Sequence, residues 1–434
     1  MALLKKDDSH TDLKEENERL RQSLEELSIL IELSSVISST MSLNNIMDKV
    51  VAKSVKAVNA KQGTIHLLDK ESQNDDPFTT FIRKADETTP TSKFRLDVEL
   101  SGWMMRHMKP LLINDFENNK HFISRRASDF AIKTLLSVPL VCKGELIGVL
   151  NLYNKKGNQQ FSQEDQKLLS IIASQSAQVI ENARLYEQEK QLLKIERELE
   201  MARSIQTRLL PKESPRVQGF DIAGASYAAR DVGGDYFDFI ELDNGNWCIA
   251  LGDVSGKGIP AALLMSHLQA TVRNQALSND KFSDCVAKTN DFLYRHTEGN
   301  KFVTMFGGIL DPKRKTFSYV NAGHNFPYHL QRNGKAVSLE VGGLVMGMMP
   351  GCLYEQDEIE LESGELVVIY SDGVTEAENA IEEMFGTERF TDLLMANKQK
   401  TAGEIVTEIY RTVKQFEANA EQDDDITVVV VKAV

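Results

Sequence analysis

Residues 247–258 read WCIALGDVSGKG, an apolar run that closes on Gly252 and hands Asp253 to a turn. The run has strand character, and IPAALLMSHLQATV after it brings small residues to the first turns of an expected helix. Three more stretches repeat the device: VGGDYFD (232–238), LVVIYSDG (366–373) and QDDDITVVVV (422–431). They set Asp235, Asp372 and Asp424 where an apolar strand is expected to give way to a Gly-rich or acidic turn, with Gly373 permitting a turn that few other residues tolerate. Taken singly, each Asp reads as a turn former whose carboxylate bonds local backbone. Taken together, strand-end carboxylates with no Cys or His cluster nearby are oxygen donors for a hard cation such as Mn2+ or Mg2+.

In chain order the motifs GGDYFD, GDVSGKG, NAGH, SDG and DDIT resemble the PPM-type metal-dependent serine/threonine phosphatases, specifically the bacterial SpoIIE-like branch, over residues 200 to 434. The resemblance implies an α-β-β-α sandwich that holds a pair of Mn2+ or Mg2+ ions. Asp253 is then the bridging ligand, Asp235 serves the first ion directly or through water, and Asp372 and Asp424 hold the second. Asp253 and Asp235 are the residues the chemistry depends on most. The backbone carbonyl of Val254 is a further implied ligand. Asp423, Asp424 and Asp425 stand in a row; the family pattern of acid, Asp or Asn, any residue and Thr places the ligand at Asp424, with Asp425 as the alternative.

A cation pair can activate water and clamp the oxygens of an in-line phosphoryl displacement, so no nucleophilic side chain is required. Arg230, five residues before Asp235, matches the spacing of the arginine that grips substrate phosphate in eukaryotic members. Its planar guanidinium suits that contact; the alternative is an ordinary surface arginine. Where those enzymes read DGHGG this chain reads DVSGK, which puts Ser255 where their proposed general acid stands. The leaving oxygen must then be protonated by water or by a distant residue, or need no acid because a metal-bound product is weakly basic; His324 is a candidate replacement acid, against a role in shaping the core.

Two shorter matches compete. GGDYF is near the GGDEF signature of diguanylate cyclases, a reading that leaves the other acidic motifs unexplained. GDVSGKG is near a phosphate-binding GxxxxGK[ST] loop, but its first glycine is a residue too close to the GK pair, and Gly258 stands where a Ser or Thr belongs.

At 434 residues the chain exceeds what a single hydrophobic core usually supports, so about two or three domains are expected. A net charge of −14 argues against a nucleic-acid partner, which needs clustered Lys and Arg. Cys142, Cys248, Cys285 and Cys352 are scattered, suggesting neither disulfides nor zinc. MALLKKDDSH turns acidic before any apolar leader develops, and no apolar run approaches the roughly 18 residues of a membrane span. A cytoplasmic protein with no membrane partner is expected.

Leu13, Leu20, Leu24, Leu27 and Ile31 form a short heptad seam that includes Asn17. It is either a coiled coil or an amphipathic helix packed on the next domain. A second seam, Leu185, Leu192 and Leu199 with Ile195, Ala202 and Leu209, lies on a helix expected over 163–210 and ending at Pro211. It predicts a coiled-coil connector and a parallel homodimer. Between the seams, TIHLL, SVPLVCKGELIGVLNLYNKK and FSQEDQKLLSIIASQSAQVIENARLYE resemble a GAF domain, a small α+β sensor module, with a hairpin at Lys143-Gly144. Some nucleotide-binding GAF domains carry an N-K…F…D-E pattern. Asn154, Lys155, Phe161 and Asp165 match it but Gln166 replaces the Glu, and in other GAF domains these residues brace the fold.

The expected organisation is α+β: an N-terminal helix (1–34), a GAF sensor (35–180), a coiled-coil linker (181–210) and the phosphatase domain (211–434). The expected function is signal-regulated hydrolysis of phosphoserine or phosphothreonine on a partner protein, by resemblance an anti-sigma-factor antagonist. The GAF domain takes an unidentified small ligand or protein. A silent scaffold would have lost a metal aspartate, and a GAF-regulated nucleotide cyclase would need a triphosphate site that the sequence does not display.

Overall fold

The computed structural model describes residues 42–68, 78–84, 98–116, 119, 132–279, 281–297, 301–418, 420 and 422–434. The seam at 13–31 and the N-terminal helix lie outside the described residues. By internal contacts the chain divides into two units, 1–194 and 195–434.

The first unit runs α1 (Leu43–Ala57), β1 (Ala60–Leu68), β2 (Phe78–Lys84), α2 (Val98–His107), β3 (Leu111–Ile113), β4 (Leu135–Cys142), β5 (Glu145–Lys155) and into α3 (Gln163–Thr207). Its antiparallel sheet has the order β2-β1-β5-β4-β3, and the β4–β5 turn falls at Lys143-Gly144. Because strand side chains alternate, Ile65, Leu150 and Leu152 meet Met47 and Val51 of α1 and Leu169 and Ala173 of α3 on the sheet's apolar face. The opposite face buries Gln62, Thr64, His66, Ser137 and Asn151.

The N-K…F…D residues brace this unit. The Asn154 side-chain oxygen accepts from the amides of Lys133 (2.7 Å) and Thr134 (3.1 Å), and Lys155 pairs with Asp165. Asp165 also accepts from the Ser162 amide at 2.8 Å, at the entrance of α3, and Phe161 is buried. Helix α3 then continues without a break past Lys194, with Leu185, Leu192 and Ile195 exposed along it.

The second unit continues with β6 (Phe220–Tyr227), β7 (Tyr236–Glu241), β8 (Trp247–Val254), α4 (Ile259–Ser278), α5 (Phe282–His296), β9 (Val303–Asp311) and β10 (Thr316–Ala322). It closes with β11 (Tyr328–Leu330), β12 (Ala336–Ser338), β13 (Gly342–Gly343), β14 (Asp357–Glu360), β15 (Leu366–Tyr370), α6 (Gly386–Asn397), α7 (Ala402–Glu417) and β16 (Ile426–Ala433). There are two sheets, ordered β13-β10-β9-β8-β7, with β14 also on β10, and β12-β11-β15-β16-β6.

Strands apolar on both faces dictate layers on both faces. Ile249, Leu251, Phe306 and Phe317 of the first sheet meet Val367, Ile369, Val429 and Val431 of the second between the sheets. Cys248 and Ala250, on the outer face of β8, pack under Met265 and Leu268 of α4 and Val286 of α5. Val428 and Val430 pack under Phe390 of α6 and Ile405 and Ile409 of α7. The layering is the expected α-β-β-α sandwich. Among the described residues no helix is long and apolar enough to cross a membrane.

Candidate metal centre

Asp253 is the penultimate residue of β8, and Asp372 follows β15 by two positions. Asp235 and Asp424 differ from the expectation: they stand just before β7 and β16, at strand beginnings. Antiparallel pairing reconciles the two arrangements. Tyr236 is opposite Gly252, which brings Asp235 beside the end of β8, and Tyr370 is opposite Val428, which brings Asp424 beside the start of the Asp372 turn. Each sheet thus delivers two carboxylates to one edge. Gly373 is needed for space and not, as expected, for an unusual turn: it is not among the glycines with positive φ, but a Cβ there would lie 2.2 Å from the Asp425 carbonyl oxygen.

The NAGH segment ties the two edges together. Thr304, paired with Asp253 across β8 and β9, bonds His324 Nδ1 at 2.8 Å, while His324 Nε2 lies 3.1 Å from the Tyr370 carbonyl oxygen. A carbonyl only accepts, so Nε2 carries the proton and Nδ1 accepts from the hydroxyl. Burial pushes the His324 pKa down to about 4. A buried neutral imidazole with both nitrogens engaged is a spacer between the sheets rather than a proton donor.

The electrostatics are those of crowded anions. Burial, then the charges of Asp372, Asp424 and Asp425, push Asp253 up to about 7. Burial, followed by Asp424 and Glu376, raises Asp372 to about 6. Asp235, 3% exposed, is raised by burial and by Asp253 and Asp425, and its Oδ2 has no hydrogen-bond partner. Crowded, desolvated carboxylates are stabilised by cations.

The donors fit hard divalent ions. A methyl placed on Gly234 would lie 3.0 Å from the Val254 carbonyl oxygen and 3.6 Å from Asp253 Oδ1, so both oxygens face the loop that carries Asp235. Among the described residues no three acidic, His or Cys side chains already form one ion-holding group. Asp424 Oδ2 is turned toward Lys257 Nζ at 3.3 Å, and its Oδ1 accepts from the Asp425 amide at 2.9 Å.

Asp425 has a different job. Its carboxylate accepts from the amides of Ala229 (2.8 Å), Gly234 (2.7 Å) and Asp235 (3.3 Å), and so shapes the loop that presents Asp235. On the other side of that loop, Gln206 in the last turn of α3 makes a reciprocal pair with Gly233, donating to its oxygen at 2.7 Å and accepting from its amide at 3.0 Å. Neither contact was legible in the sequence, because each joins residues distant along the chain.

Arg230 is exposed and lines the same cleft as Asp253, Lys257 and Asp424. The Ser255 hydroxyl accepts from the Phe302 amide at 3.0 Å, which makes it a loop anchor.

Comparison with known proteins bears on the family and the fold. The family model "Stage II sporulation protein E (SpoIIE)" matches residues 243–434, and a GAF-domain model matches 40–181. The chain is 31% identical over 241 residues to phosphoserine phosphatase RsbU of Bacillus subtilis, covering 55% of this chain and 70% of RsbU. It is also 31% identical over 265 residues to protein IcfG of Synechocystis sp., covering 54% of this chain and only 41% of IcfG. The SiaA-PP2C domain of Pseudomonas aeruginosa superposes with a TM-score of 0.50 at 21% identity, over 56% of this chain and 98% of that domain, which shows a shared fold. With its GAF domain preceding the sandwich, the chain belongs to the SpoIIE-type, PP2C-fold family of metal-dependent protein serine phosphatases.

Proposed function

We propose that the chain hydrolyses phosphoserine or phosphothreonine on a partner protein under control of its GAF domain, using two Mn2+ or Mg2+ ions. The supporting observation is the meeting of Asp235, Asp253, Asp372 and Asp424 from two sheets at one edge, with Asp253 raised to about 7 by burial and like charges. Asp253 interacts both with Asp235 of its own sheet and with Asp372 and Asp424 of the other, so it would be the ligand shared by the two ions. Asp235 and the Val254 carbonyl complete one site, and Asp372 and Asp424 the other. When bound, the ions supply an activated water and neutralise charge on the phosphoryl group.

The chain's own residues do the rest. Arg230, at the mouth of the cleft, orients the phosphate. With His324 buried and Ser255 engaged by backbone, the departing hydroxyl takes its proton from solvent. The substrate class that the SpoIIE-like resemblance implies is a phosphorylated anti-sigma-factor antagonist. The exposed Leu185, Leu192 and Ile195 support a homodimer along α3. The GAF unit receives a small ligand or protein signal and passes it through the connector.

The Asp253→Asn variant tests the catalytic reading. It should release no phosphate from a phosphoserine peptide and bind Mn2+ weakly, with its circular dichroism unchanged; turnover comparable to wild type would contradict it.

A further inference from the structure

Lys257 is a cation that the site's chemistry has not yet used. It lies in the Ser255–Gly258 loop, where Gly256 and Gly258 take φ of 94° and 78°, a backbone conformation that favours glycine. Lys301 Nζ pins that loop by donating to the Ser255 carbonyl oxygen at 3.0 Å. The Lys257 side chain is only 33% exposed. Its Nζ donates to the Asp423 carbonyl oxygen at 2.7 Å and lies 3.3 Å from Asp424 Oδ2 and 3.4 Å from Asp423 Oδ2.

The amine therefore holds a candidate metal ligand, Asp424, by one oxygen. Were Asp424 to serve as a metal ligand, Lys257 would give up that oxygen, and its ammonium, on a short loop, would stay at the cleft wall. Arg230 lines that cleft as well. A phosphate dianion entering there is met by both basic groups, and an ammonium is a compact point charge suited to phosphate oxygens.

We propose that Lys257 exchanges partners during the cycle: it balances Asp424 before metal binds, then contacts the substrate phosphate on the wall shared with Arg230. The proposal rests on the phosphatase reading above. It makes Lys257 a substrate-contacting residue whose removal weakens phosphate binding while strengthening metal binding, a combination that loss of a merely structural salt bridge does not produce.

The test compares full-length wild type with Lys257→Gln and Lys257→Arg. At saturating Mn2+, the Gln variant should raise KM for a phosphoserine peptide and the inhibition constant of inorganic phosphate roughly ten-fold, as expected for a lost charge-assisted hydrogen bond. By calorimetry it should bind Mn2+ several-fold more tightly, because a competing charge beside Asp424 is gone. Lys257→Arg should restore most of the phosphate affinity. Unchanged KM and phosphate inhibition would overturn the proposal, and so would weaker Mn2+ binding.

Amine-reactive labelling of wild type, read by mass spectrometry at Lys257, decides the matter without relying on a variant that folds. Mn2+ alone should speed labelling and Mn2+ with inorganic phosphate should slow it. Equal labelling in those two conditions would also overturn the proposal. Wild type that releases no phosphate with Mn2+ defeats the phosphatase reading itself, a result distinct from any of these.

Discussion

Asp424 and Asp425 are neighbours whose carboxylates answer to different demands. Asp424 is half-buried and turned to the cleft, while Asp425 is spent on three backbone amides of the loop before β7. Asp424→Asn should therefore lower Mn2+ affinity without lowering metal-free stability, since it also removes a charge that repels Asp253 and Asp372. Asp425→Asn sets an amide donor against those N–H groups and should cost roughly 1–3 kcal/mol in urea denaturation. The reverse pattern would exchange the two roles. Asp253 and Asp372 carry a second prediction. Their folded pKa values, about 7 and about 6, lie above the ordinary 3.8, so the folded chain holds protons that the unfolded chain releases. The stability they contribute is complete below pH 3.8 and is lost as pH rises through about 6 to about 7. In EDTA, Asp253→Asn should melt above wild type near about pH 8, with the gap closing toward about pH 4. A gap independent of pH would mean that neither burial nor mutual repulsion raises these carboxyls.

At the scale of elements, apolar runs such as WCIAL, VVIY and VVVV announced strands buried on both faces, and hence layers above and below. The long helix was equally legible, because Gln163–Thr207 contains neither Gly nor Pro. Less legible was which end of each strand carries its aspartate, since that follows from antiparallel pairing between distant segments. Gln206 as a clamp on Gly233 was hidden for the same reason, whereas the core-shaping role that the sequence offered for His324 takes the form of a spacer between the sheets. The clamp gives the connector a physical route to the Asp235 loop, and coupling requires that this contact have two arrangements that a signal can bias. Inserting one residue after Glu196 turns the helix by about 100°, whereas seven residues nearly restore its phase. The single insertion should change activity strongly and disturb the dimer in light scattering; the seven-residue insertion should do little of either. Equal behaviour of the two would reduce α3 to a tether, and a wild-type monomer would remove the dimer.

For the whole molecule, two sheets each contribute two carboxylates to one edge, and the crowding makes that edge costly until cations arrive. The division between the GAF unit and the sandwich falls inside one unbroken helix, Gln163–Thr207, so a sensor module and a phosphatase fold share a single chain. The proposed metal-dependent release of phosphate from serine unites these features. The direct test is a titration of Mn2+ into the EDTA-treated full chain while phosphate release from a phosphoserine protein or peptide is followed. The account predicts no release without metal and a saturable rise with Mn2+. Release that persists in EDTA, or none at any Mn2+ concentration from a folded chain, would contradict it.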